Sequence, residues 1–77
     1  MYMLIEHYDN DMQWEEHETY DKPLAVSPDI AMLMSFANEK VKPYQLEWQK
    51  ADYGNVECET QFVNECSYRI EKITFLQ

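Results

Sequence analysis

The sequence predicts a small α+β domain. We expect an antiparallel sheet of about five strands with one helix packed on it, in the order ββαβββ. Three observations predict it. One well-bounded helical segment spans 28–41. Segments of alternating polar and apolar residues lie before and after it, as half-buried strands require. A single Gly and three Pro leave few breakers in 77 residues, so most of the chain can be regular. That length allows one domain, residues 1–77. A hydrophobic share of 45%, with two Trp, six Tyr and three Phe, supplies a core that disordered chains lack.

The N-terminal YMLIEHY has strand composition, and Asp9-Asn10-Asp11 is a turn cluster. A three-residue loop there would place Tyr8 opposite Met12, with a second strand at about 12–20. Glu15, Glu16 and Glu18 suit a strand poorly, so the alternative is an acidic loop anchored by Trp14 and Tyr20. DKPLAV (21–26) reads as a connection. The helix follows, with Ser27 as N-cap, Pro28 at the first helical position and Pro43 as its stop. Ile30, Leu33, Met34, Ala37 and Val41 form one face, which Met32 and Phe36 widen. Only Ser35, Asn38 and Glu39 remain for a polar arc. That is more apolar surface than one sheet face needs to cover.

YQLEWQKA (44–51) alternates as a strand, with Tyr44, Leu46 and Trp48 on one face. DYGN (52–55) is a turn. VECETQFV alternates again, placing Val56, Cys58, Thr60 and Phe62 together. Asn64-Glu65 is a tight connection, and CSYRIEKITFLQ is a long last strand with a bulge near Glu71-Lys72. The last three strands form an antiparallel meander.

The charge is the strongest functional signal. Fifteen acids against six bases give a net charge of −9. Such an excess repels nucleic acid and anionic membranes and attracts basic surfaces. A direct nucleic-acid binder would carry a basic stripe, which is absent. EHYDNDMQWEEHETYD (6–21) holds seven carboxylates and no Lys or Arg. Rows of carboxylates at i and i+2 on a strand, as at Glu16/Glu18 and Glu57/Glu59, roughly imitate phosphate spacing.

Chemistry-bearing motifs are missing. An EF-hand read from Asp9 fails at its glycine position, Trp14, and at its bidentate position, Tyr20. His7, His17, Cys58 and Cys66 lack the close pairs of a zinc site. We expect no metal, no cofactor and no catalysis, since neither a phosphate cradle nor a nucleophile motif is present. The two histidines sit among carboxylates that favour the protonated ring. MYMLIEHYD lacks the pattern of a signal peptide, and IAMLM is too short to span a bilayer. The expected setting is cytoplasmic, with both thiols reduced; the alternative is a Cys58–Cys66 disulfide.

In size, acidity and absence of catalytic motifs, the chain resembles small phage and mobile-element proteins made against host enzymes. Anti-CRISPR, anti-restriction and DNA-mimic inhibitors are of this kind. The resemblance is one of composition over the whole chain and transfers no residue. It implies a non-catalytic acidic binding module that inhibits or modulates a nucleic-acid-handling enzyme through a basic protein surface. The expected partner-binding residues are Glu6, Asp9, Asp11, Trp14, Glu15, Glu16, Glu18 and Asp21. The alternative is a self-associating subunit, a homodimer built on the apolar helix 28–41.

Overall fold

The computed structural model describes residues 1–10 and 18–74. It contains β1 (Tyr2–Asn10), β2 (Glu18–Ser27), α1 (Ile30–Lys40), β3 (Trp48–Tyr53), β4 (Val56–Thr60) and β5 (Cys66–Lys72). The expected ββαβββ order is present. All strand pairs are antiparallel, in the sheet order β2-β1-β5-β4-β3. The N-terminal and C-terminal strands are therefore neighbours, with Leu4 opposite Ile70. Chain from β2 at one edge reaches β3 at the other through α1, which lies across one face. No described helix is long and apolar enough to cross a membrane.

The N-terminal hairpin differs from the expected one. Tyr8 pairs with Tyr20, and β2 takes in the DKPLAV segment expected to be a connection. The described second strand runs from Glu18 to Ser27, with Asn10 opposite Glu18. Met12, and with it the predicted Tyr8–Met12 pairing, lies outside the described residues. Pro23 is tolerated because β2 is an edge strand, with one side free of ladder bonds. A register shift follows it: Ile5 pairs with Pro23 and Leu4 with Ala25, leaving Leu24 as the extra residue. The bulge lets Leu24 and Ala25 both pack on the core.

The helix begins two residues later than expected. Ser27 stays in β2 opposite Tyr2, and Asp29 is the N-cap, its carboxylate accepting the Ala31 N–H at 2.9 Å. Ser27 still contributes, since its hydroxyl accepts the Asp29 N–H at 3.0 Å. At the other end the Val41 N–H donates to the Ala37 carbonyl at 3.2 Å, closing the last turn. Leu33 and Ala37 are buried against Leu4, Cys58, Tyr68 and Ile70, with Ile30, Met34, Leu46 and Trp48 around them. The surplus apolar surface remains outside: Met32 is 64% exposed and Phe36 49%.

In the meander, β3 is shorter than expected, beginning at Trp48, and turns into β4 at Gly54-Asn55. The register between β4 and β5 slips between Val56 and Cys58. Val56 pairs with Glu71 and Cys58 with Ile70, so the two lie on opposite faces and the expected single face is divided. Asn64 and Glu65 form the expected tight turn, both with positive φ (54° and 63°), between the bridged Val63 and Cys66. Strand β5 ends at Lys72, and residues 75–77 of the expected longer strand lie outside the described residues.

Candidate functional site

Strand alternation decides where the expected site residues go. Asp9 and Asp21 stand on the sheet face that α1 leaves open, whereas Glu6 stands on the helix-covered face beside Leu4. Glu6 is buried, which removes it from the expected partner surface. The reason is position: β1 is central, so every second side chain of it is enclosed. Tyr68 donates its hydroxyl to Glu6 Oε2 at 2.9 Å, and Lys40 Nζ lies 3.6 Å from the same oxygen. Burial, then the Glu6 carboxylate, pushes the Tyr68 hydroxyl well above its ordinary pKa. Asp11, Trp14, Glu15 and Glu16 lie outside the described residues.

Two places remain for recognition. The first is an acidic end of the sheet. Asn10 and Glu18, which flank residues 11–17, are cross-strand partners there. The Asp9 N–H donates to the Glu65 carbonyl at 2.9 Å, so the β4–β5 turn adds a carboxylate to the same end. A hydrogen bond from Tyr8 to the Glu65 carboxylate, with burial beside it, raises the Tyr8 pKa. Tyr8 itself stacks on Tyr20 with centroids 4.9 Å apart. Neither Glu18 nor Glu65 has a Lys or Arg partner among the described residues. Glu65 was not among the expected site residues. Its signal was the tight turn, which returns the chain to the end of β1.

The second place is the open face. Its rows run across the strands: Asp21–His7–Ser67, then Pro23–Ile5–Arg69–Glu59–Gln49, then Val26–Met3–Glu71–Val56–Tyr53. Arg69 sits at the centre. Its guanidinium reaches both Asp21 oxygens at 3.2 and 3.3 Å, and its Nε lies 3.5 Å from Glu71. His7 Nδ1 lies 2.7 Å from Asp21. Arg69 first, and His7 second, hold the Asp21 carboxyl below the usual carboxylate range. Tyr53 donates its hydroxyl to Glu59, which raises the Tyr53 pKa.

Between these groups lies a cleft of about 420 Å³, lined among others by His7, Asp9, Glu59 and Arg69 and flanked by Tyr53 and Phe62. His7 meets the Phe62 ring edge-on at 5.9 Å. Asp21, His7 and Ser67 recur in one row, but His7 and Ser67 are not hydrogen-bonded, and Asp21 is shared with Arg69. The row ties three strands together. Glu57 and Glu59, expected as a phosphate-like pair, part company at the bulge. Glu57 lines a shallow cleft with Ile30, Met34 and Trp48, and Glu59 lines the open-face cleft. Cys58 and Cys66 are both free, and burial pushes both thiols up. Among the described residues no group of three His, Cys, Asp or Glu side chains converges as metal ligands would. No protein-family model, curated protein or solved structure matches the chain.

Proposed function

We propose that this protein is a non-catalytic acidic binding module that occupies the basic surface of a nucleic-acid-handling partner and so inhibits or modulates it. Such a module would be of the anti-restriction or anti-CRISPR kind that the composition of the chain resembles. The observation that carries it is the acidic end, where Asp9, Glu18 and Glu65 gather at the two ends of the run holding Asp11, Glu15 and Glu16. Glu18 and Glu65, which have no Lys or Arg partner among the described residues, keep their full field, and that field attracts a Lys- and Arg-lined groove. The partner releases the counterions or nucleic acid it holds there, so association is salt-sensitive. A cytoplasmic setting suits such a target.

The test is a pull-down with the tagged chain at low and high salt, with identification of what elutes. The captured protein is then offered labelled nucleic acid. We expect a nucleic-acid enzyme held at about 50 mM salt, released by about 200 mM, and losing its nucleic acid to this chain. A triple Gln substitution at Glu15, Glu16 and Glu18 should abolish capture without unfolding the domain. Normal capture by that variant would refute the acidic end as the site.

The exposed side of α1 favours one other function, self-association as a homodimer. Met32 and Phe36 stand outside the core one helical turn apart. On that basis Met32→Glu or Phe36→Glu converts a dimer to monomer in analytical ultracentrifugation. A wild-type chain that is monomeric at high concentration rules it out.

A further inference from the structure

We propose that the open-face cleft seats one guanidinium side chain of the basic partner, an inference that rests on the function proposed above and names what that partner inserts. The cleft is lined by two aromatic rings that the fold leaves outside its core, Phe62 at 53% exposure and Tyr53 at 55%. Large rings in water cost free energy unless a partner covers them, and Phe and Tyr rings are favoured anchors where they do. Their placement is fixed. Phe62 rests on His7, and Tyr53 is held by Glu59.

Charge selects the occupant. Among the described residues Arg69 is the one Lys or Arg in the wall, and it is already engaged by Asp21 and Glu71. Glu59 stands directly across from Arg69 in the ladder, but its described hydrogen bond comes from the neutral Tyr53 hydroxyl. Asp9 adds a second carboxylate to the lining. An anion would meet Asp9 and Glu59, with only His7 and Arg69 to receive it, and both of those already face the Asp21 carboxylate. An apolar group would cover the Glu59 carboxylate without pairing it, which is costly. A cation meets a carboxylate and an aromatic face together, the combination that binds cations best. A guanidinium fits better than an ammonium, because its plane can lie on the Phe62 ring while its fork meets Glu59.

The experiment is a titration of the full-length ¹⁵N-labelled chain with a short arginine peptide and, separately, a lysine peptide of equal length, at low salt. We expect the arginine peptide to bind more tightly and to shift the amides of Glu59, Phe62, Ser67 and Arg69. Glu59→Gln and Phe62→Leu should each weaken it by about three- to thirty-fold. Phe62→Leu keeps apolar bulk and removes the ring, so its loss reports the ring face and not the fold. Met32→Ala, on the far face, should bind normally. Unchanged affinity in both cleft variants, or no binding of the arginine peptide at all, overturns the seat. The two proposals fail separately. Partner capture that survives Glu59→Gln and Phe62→Leu but not the triple Gln substitution leaves the inhibitor and removes the seat. Peptide binding that needs Glu59 and Phe62, with no nucleic-acid enzyme captured, leaves the seat and removes the inhibitor.

Discussion

The two faces of this sheet are built from the same strands by opposite rules. On the covered face Leu4, Cys58 and Ile70 meet Leu33 and Ala37, and buried polar groups enter at the helix ends, Ser27 at one and Glu6 with Tyr68 and Lys40 at the other. On the open face two buried apolar side chains, Ile5 and Val56, lie among a mesh centred on Arg69. Apolar burial supplies stability in proportion to area removed from water. Exposed ion pairs supply little, about 0–1 kcal/mol each. The covered face therefore holds the fold, and the open face is free to carry charge for another purpose.

The sharpest way to break this comparison is a truncation on each side. Leu33→Ala removes a fully enclosed side chain and should cost about 2–5 kcal/mol, read as a lowered denaturant midpoint. Small domains have a margin near the low end of about 5–15 kcal/mol, so this variant is close to unfolding at room temperature. Phe62→Ala, on the open side, should move the midpoint by no more than about 0.5 kcal/mol. Equal losses from the two would mean that the open face is also core.

Acid and alkali should attack different faces. Tyr68 has a raised pKa, so its contribution is fully present below the unfolded value of about 10 and is lost as pH climbs toward the folded one. Tyr68→Phe should remove most of the alkaline loss, and should cost about 1–3 kcal/mol at neutral pH because Glu6 loses its hydroxyl donor. Asp21 has a lowered pKa, so its contribution is present above about pH 4 and is lost as pH falls through the folded value. The Asp21 side chain is about half exposed at 49%, so solvent screening keeps that contribution small. Asp21→Asn should flatten the acid limb and leave the alkaline limb unchanged. Thermal melts across the pH range read both.

How much of this was legible in the sequence follows the range of each interaction. The helix and the meander were readable because caps, turns and alternation act over a few residues, and Asn64-Glu65 declared its own turn. Strand β2 was not, because Pro23 and the neighbouring charges lower strand propensity, and only tertiary pairing with β1 restores it. The β1–β5 pairing joins Tyr2 to Lys72 and has no local signal. It decides that β1 is central, hence that Glu6 is buried and not part of a surface. Expected site residues at an edge of the chain's charge run therefore divided: Asp9 and Asp21 reached the open face, Glu6 the core.

The smallest effect separates charge kept for contact from charge kept for structure. Glu65 adopts a left-handed φ of 63°, where a side chain is strained and Gly is not. Glu65→Gly relieves that strain, worth about 1–2 kcal/mol, but the added freedom of the unfolded chain takes back about 0.4–1 kcal/mol, and Tyr8 loses its exposed acceptor. Stability should therefore change by about 1 kcal/mol or less. Partner affinity at low salt should fall nonetheless, because one carboxylate leaves the acidic end. Glu65→Gln is the control, since it retains an acceptor for Tyr8 and removes only the charge. If both variants weaken the partner equally, the residue at this strained position is there for its field. If Glu65→Gly unfolds the turn while Glu65→Gln binds as the wild type does, the carboxylate serves Tyr8, and the acidic end is smaller by one.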